Sequence, residues 1–303
     1  MQQRVLILGG SGKVGSHAAD AFWNAGWEVR HYDRANGDMV AAAQGVDVIV
    51  NGLNPPNYHD WARNIPAITD QVIAAAKASG ATVIIPGNIY VYGDQPGELN
   101  ENTHHNAQTR KGKIRIAMEE SYRASGVQTI ILRAGNFIDP HGNGDIMSSL
   151  MMRDIKKGRL TAAADPATMQ AYAFMPDWGR AALALAEKRA QLSQFEDIPF
   201  PGHAFTSADL QHCVERHLHR SVRVTRFPWW LMTMLSPFWE LARELREMRY
   251  LFAMSHTIGS DKFNKVLPQF EPTDLETVML AGLPRDIDPD EVVHTRRQPV
   301  LAK

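Results

Sequence analysis

A single cysteine, Cys213, among 303 residues leaves this chain without the means to form an internal disulfide. A reducing compartment suits such a sequence, and the cytoplasm is the expected location. Excess charge is also missing. The net formal charge is −1, so neither a basic field for nucleic acid nor an acidic tail for a basic partner is present. Long hydrophobic runs are lacking too: the longest, around Trp229–Trp239, is too short to span a bilayer, which argues against integral membrane association. No stretch at the amino terminus reads as a signal peptide, and no internal repeat or low-complexity tract appears. What remains is a chain long enough for a sizeable core, as one large domain or a domain plus a lobe.

The most informative stretch comes first. An apolar run, Val5–Leu8, stops at Gly9-Gly10-Ser11-Gly12-Lys13-Val14-Gly15, and Val14, Ala18, Ala21, Phe22 and Ala25 then recur with the period of an amphipathic helix. Gly9, Gly12 and Gly15 allow a diphosphate to approach backbone N–H groups that a Cβ would obstruct, and the first helical turn adds unpaired donors and partial positive charge. Gly9, Ser11, Gly12, Lys13, Val14 and Gly15 are therefore expected to contact a dinucleotide. The plain alternative is a tight strand-to-helix turn. Glu28–Tyr32 reads as the second strand, with Asp33 at its end, 18 residues past Gly15. A carboxylate there would accept adenosine ribose hydroxyls and repel a 2′-phosphate, which favours NAD. Arg34 could instead pair with that phosphate, so NADP stays open, and Asp33 could simply start a turn.

Asp47–Asn51 and Thr82–Pro86 are further buried-strand signals, separated by a helix (Ile65, Ile68, Val72, Ala75, Ala76) that stops at Gly80. Gly52, Leu53 and Asn54 follow the first of these strands, where loops of a doubly wound sheet meet the ligand. The expected class is α/β, a Rossmann-type doubly wound parallel sheet over residues 1–190. A smaller, mainly helical substrate or lid lobe would occupy 191–284, and a polar, proline-punctuated tail 285–303.

Four passages in order resemble the short-chain dehydrogenase/reductase superfamily, in its extended or atypical NAD-dependent epimerase/dehydratase-like branch. They are the glycine triplet, Tyr90-Val91-Tyr92-Gly93 with Glu101-Asn102 downstream, Leu132-Arg133-Ala134-Gly135-Asn136-Phe137, and Met175-Pro176-Asp177-Trp178-Gly179-Arg180-Ala181. The resemblance implies a catalytic Ser or Thr where Asn88 stands. It also implies a Tyr-Gly-x-x-Lys helix start where this chain has Lys111-Gly112-Lys113-Ile114-Arg115, with Glu119 at the family's spacing. A second register, Thr109 with Lys113, loses both the glycine and Glu119. The usual proton-donating tyrosine is absent in either.

Asn88, Lys111 and Arg115 are accordingly the catalytic candidates. Four apart on a helix, Lys111 and Arg115 share one face. Arg115 could donate to ribose hydroxyls. Like-charge repulsion beside it would favour a neutral Lys111, able to act as general acid or base. The bland alternative is a surface cation pair with Arg115 bridged to Glu119. Asn88 could donate to a substrate carbonyl oxygen. Tyr90, Tyr92, His104 and His105 are substitute acids, Tyr90 and Asn136 are expected to face substrate, and the loop Asp139–Asp145 to line the pocket mouth. Ile114, Ala117, Met118 and Tyr122 are the expected core stripe of this helix.

Beyond residue 190, Leu210, Cys213, Val214 and Leu218 mark a helix with the thiol buried. His212, His217 and His219 do not converge on one helix face, so no metal is expected. Phe227–Trp230 opens an aromatic segment that runs into Phe238, Leu241, Ala242, Leu245, Met248 and Phe252, read as an amphipathic helix serving as lid or subunit contact, with ordinary core and peripheral membrane contact as the alternatives. A homodimer is compatible with this. Function is thus expected to be that of an NAD(P)-dependent oxidoreductase or epimerase acting on a carbonyl or secondary alcohol of a small molecule, a nucleotide sugar included. The alternatives are a catalytically inactive, redox-sensing dinucleotide-binding protein, or a purely structural one.

Overall fold

The computed structural model describes residues 2–287 except Asn36, Asn143 and Arg285; apart from Asp286 and Ile287, the expected tail lies outside the described residues. In chain order the first elements are β1 (Arg4–Leu8), α1 (Lys13–Asn24), β2 (Glu28–His31), α2 (Met39–Ala42), β3 (Val48–Asn51), α3 (Trp61–Ser79), β4 (Thr82–Asn88), β5 (Gly97–Leu99) and α4 (Arg110–Ser125). Next come β6 (Thr129–Ala134), β7 (Asn136–Ile138), β8 (Arg159–Ala162), β9 (Gln170–Phe174), α5 (Met175–Glu187), β10 (Phe195–Pro199) and β11 (His203–Phe205). The remainder is α6 (Ser207–His217), β12 (Arg223–Arg226), α7 (Trp229–Leu235), α8 (Glu240–Glu247), α9 (Arg249–Ala253), β13 (His256–Ile258), α10 (Asp261–Val266) and α11 (Leu275–Leu280).

Six strands form one parallel sheet in the order β2-β1-β3-β4-β6-β10. Helices cover both faces, which is why β3 and β6 are buried at every position and are mostly apolar. Phe22, Ala18, Trp178 and Leu185 of α1 and α5 fill one side; Ile65, Val72, Met118 and Tyr122 of α3 and α4 fill the other. From β1 the chain proceeds to β2 in one direction and to β3 and beyond in the other. The resulting crevice at the carboxyl ends of β1 and β3 is where such sheets bind ligands.

The expected division at residue 190 falls before the sheet is complete, since its sixth strand is β10. The lobe likewise draws on earlier chain: β7 and β9 join β11, β8 joins β12, and β5 joins β13. Leu210, Cys213, Val214 and Leu218 are buried together beside Ile138 and Leu160. Two patterns differ from expectation. On α4, Met118 and Tyr122 face inward, but Ala117 is exposed and Ile114 half-buried, because Lys111 and Glu119 take the inner positions. The segment 238–252 is two helices parted at Met248, and Phe238 lies outside both.

Gly179 shows how tightly α5 seats on α1: a Cβ there would stand 2.4 Å from the His17 carbonyl oxygen. Gly179→Ala should therefore force the helices apart and cost about 1–3 kcal/mol. A lowered urea midpoint with unchanged m-value is the expected result.

Candidate active site

The turn between β1 and α1 suits a diphosphate in its residues. Gly9 adopts φ 75°, accessible to glycine, and accepts the Gly12 N–H at 3.0 Å. Gly12 precedes α1 without a side-chain cap and no acid sits in the first turn, so its leading N–H donors face outward uncompensated. A Cβ on Gly15 would lie 2.3 Å from Gly9 O, and one on Gly52 would lie 3.0 Å from Gly15 N. Helix, turn and the Gly52–Asn54 loop are thus in close contact, and these residues fit a dinucleotide. Ser11 and Gly12 are exposed at the rim, Lys13 is half-buried, and Val14 and Gly15 are packed beneath. Asp33 lies two residues beyond the strand, exposed, accepting the Ala35 N–H at 2.9 Å, with Arg34 exposed beside it. His31, which sequence reasoning passed over, closes on the turn: its ring would meet a Cβ on Gly10.

At the end of β4, the Asn88 amide oxygen accepts the Tyr90 N–H at 3.1 Å, starting the short helical turn Ile89–Tyr92. Lys111 is fully buried at the start of α4, but not against Arg115. Its ammonium donates to Glu244 Oε2 and, at 2.7 Å, to Glu247 Oε2. Its own N–H donates to Glu247 Oε1 at 2.8 Å, and Arg110 holds Glu244 through contacts of 2.8 and 3.0 Å. The expected like-charge neighbour is replaced by two carboxylates from α8. Burial alone would raise the Glu244 carboxyl; hydrogen bonds and charge from Lys111, then Arg110, outweigh it and hold the group below its ordinary value.

Arg115 reaches the other way. It donates to Asn54 Oδ1 at 2.8 Å and lies 4.6 Å over the Trp61 ring. Its Nε is a buried nitrogen with no partner among the described residues, and burial pulls the guanidinium below its ordinary value. Glu119, the expected partner of Arg115, instead holds Arg133 at 2.8 and 3.1 Å, and Asp197 holds Arg133 at 2.6 Å. Burial works against the Arg133 cation, but these two acids keep it well above its ordinary value.

Tyr58 and Trp61 are the residues sequence reasoning missed. Asn57, Tyr58 and Asp60 have φ of 53°, 62° and 42°, a left-handed hook that swings Tyr58 under the Lys111 ammonium, 5.1 Å from the ring centroid. Trp61 stands 5.2 Å from the Tyr58 ring and 6.5 Å from the Tyr90 ring. The charge of Tyr90, then burial and a hydrogen bond to Tyr90, raise the Tyr58 phenol well above its ordinary value.

The remaining candidates separate. Tyr92 donates to Asn100 O at 2.9 Å, and burial of His105 lowers its imidazole. Asn136 makes long contacts to Gln170 and Ala171 O, at 3.5 and 3.4 Å, that tie β7 to β9. Asp139 and Asp145, expected at the pocket mouth, point inward: Asp139 meets His17 Nε2 at 2.9 Å, and Asp145 accepts the Met147 N–H at 2.8 Å. His141 stacks on His17 with an interplanar angle of 17°, and one ligand atom from each of His17, Asp139 and His141 lies within 4.8 Å of the others, a spacing that could hold a metal ion.

Lys111→Met would leave the buried Glu244 and half-buried Glu247 carboxylates facing a thioether, at a cost of about 3–5 kcal/mol near pH 7. Because the folded-state pKa of Glu244 is depressed, its stabilisation is complete above the unfolded pKa and lost as pH falls through the folded one. In denaturant titrations the gap between parent and variant should narrow in acid; a gap constant with pH would place the stability elsewhere.

Over residues 5–198 the sequence matches the NAD dependent epimerase/dehydratase family. No curated protein sequence matches it. Its fold is similar to that of a UDP-glucuronic acid 4-epimerase from Bacillus cereus in complex with NAD, at 16% identity and TM-score 0.73 over 97% of this chain and 100% of that one. A UDP-glucose 4-epimerase from Brucella ovis in complex with NAD gives 17% and 0.69 over 92% and 97%. A nucleoside-diphosphate-sugar epimerase from Pseudomonas aeruginosa gives 16% and 0.67 over 93% and 96%. At such identities these likenesses carry the fold, whereas the family match spans well over half of the sequence. The chain belongs to the NAD dependent epimerase/dehydratase family.

Proposed function

We propose that this protein is an NAD-dependent oxidoreductase or epimerase acting on a secondary alcohol or carbonyl, with a nucleotide sugar as the favoured substrate class. The observation that carries this reading is the pairing of a phenol and a cation beside Asn88. Trp61 brings Tyr90 and Arg115 together, its ring 6.5 Å from the Tyr90 ring and 4.6 Å from the Arg115 guanidinium. The nucleotide-sugar class is favoured by the UDP-sugar epimerases that share the fold. Bound against the glycine turn, NAD would supply the hydride acceptor. Asn88 would donate its amide N–H to the substrate oxygen, and Tyr90 would move the proton on that oxygen. Arg115 and the Tyr58 O–H would hold the negative charge left on Tyr90. Tyr58 and Trp61 would exclude water. Lys111, enclosed by carboxylates, would position α8 rather than transfer protons.

A second reading, a dinucleotide-responsive protein without turnover, draws on the same enclosure of Lys111 at the place of the family's tyrosine. Calorimetric titration with NAD, NADH, NADP and NADPH is expected to favour the forms lacking the 2′-phosphate, because Asp33 repels it. With UDP-sugars and NAD, Tyr90→Phe should slow turnover about a hundredfold to ten-thousandfold while leaving NAD affinity unchanged. A parent-like rate in Tyr90→Phe with a dead but folded Lys111→Met would transfer the proton step to Lys111. Tight NAD binding without turnover of any sugar nucleotide or small carbonyl would favour the second reading.

A further inference from the structure

Successive tryptophans at the start of α7 do opposite things. Trp229 donates its indole N–H to Ala163 O at 2.6 Å and packs between Phe227 and Phe252, anchoring the helix to the lobe. Trp230 points away from the protein and is 66% exposed. Met234, one helical turn on, is 66% exposed, Phe238 is 90% exposed and Trp239 45%. Four large apolar side chains on one short segment therefore project from the surface rather than line a groove. Isolated exposed hydrophobics are ordinary, but four large ones between Trp230 and Trp239 are not.

Charge decides what covers them. Residues 223–249 carry five arginines, Arg223, Arg226, Arg243, Arg246 and Arg249, all exposed, and three glutamates. Two of those glutamates, Glu244 and Glu247, direct their carboxylates to Lys111, and Glu244 Oε1 also accepts from Arg243 Nε at 3.4 Å. Glu240 offsets Arg243 at 3.8 Å, and Asp165 offsets Arg226 at 3.0 Å. The outward balance around the projection is positive on a chain whose net charge is −1. Arg243 and Arg246 line an open hollow of about 470 Å³ with Ser236, Pro237 and Glu247. A second copy of the chain fits poorly, because a two-fold contact would set these arginines against themselves. An anionic bilayer fits on both counts: aromatic side chains settle at the headgroup boundary, and arginines meet lipid phosphates.

We propose that the α7–α8 turn is a peripheral membrane-docking tip, with Trp230, Met234 and Phe238 entering the interface of an anionic bilayer and Arg243 and Arg246 holding headgroup phosphates. The full chain should float with vesicles of phosphatidylglycerol and phosphatidylcholine, and its tryptophan emission should shift to the blue and be quenched by acyl chains brominated near the headgroup. Trp230→Ser/Phe238→Ser should weaken partitioning about tenfold or more. Arg243→Gln/Arg246→Gln should remove the preference for anionic over purely phosphatidylcholine vesicles, together with most of the salt dependence. Should the double serine variant melt early, Phe238→Ser alone serves in its place, since that ring is 90% exposed. Absence of flotation with anionic vesicles, or equal binding by parent and serine variants, overturns the proposal. A dimer in sedimentation equilibrium that the serine variants dissociate would assign the tip to a second copy and overturn it as well.

Discussion

The buried ammonium of Lys111 between Glu244 and Glu247 sets the arrangement of everything around the crevice. A cation with no exposed surface needs carboxylates in hydrogen-bond contact, and α4 offers none to this one. The requirement is met from the C-terminal lobe, so α8 must lie across the start of α4 whenever the protein is folded in this way. Tyr58 fills the space beneath, and Arg110 completes the charge balance on Glu244. Such a pair gains little net stability over an apolar contact, because desolvation offsets attraction. Its effect is to make one arrangement of lobe and sheet far better than neighbouring ones.

How much of this was legible beforehand depended on how local the signal was. The strands could be read because Val5–Leu8 and Val48–Asn51 are covered on both faces and are mostly apolar. A helix end could be read where Gly80 takes left-handed backbone. The glycine turn was legible for the same reason: its constraints lie within a few residues of one another. The partners of Lys111 were not, being 133 and 136 positions away with nothing nearby to mark them. Arg133, marked in the sequence only as part of the Leu132–Phe137 passage, proves to join Glu119 to Asp197, 64 positions apart from it in the second case. On α4 the apolar spacing pointed to Ala117, yet the inward positions belong to charged residues whose partners come from other elements.

The missing tyrosine illustrates why fold and chemistry are separate questions. The sheet supplies the crevice and the helix N-terminus. Under the proposed function the reacting groups would be a matter of side chains: Arg115 would supply the cation, while phenols would come from the end of β4 and from the hook after β3. Because Trp61 lies against both Arg115 and Tyr90, the hook and the strand end are packed as one unit. A change in either would be felt by both.

That hook has mechanical meaning. Three non-glycine residues held in left-handed backbone each carry roughly 1–3 kcal/mol of conformational penalty. The penalty persists only while surrounding contacts over-determine the shape, and Tyr58 under Lys111 is among those contacts. Releasing α8 from Lys111 would remove one of those contacts, and the backbone at Tyr58 would then have less to hold it in this conformation.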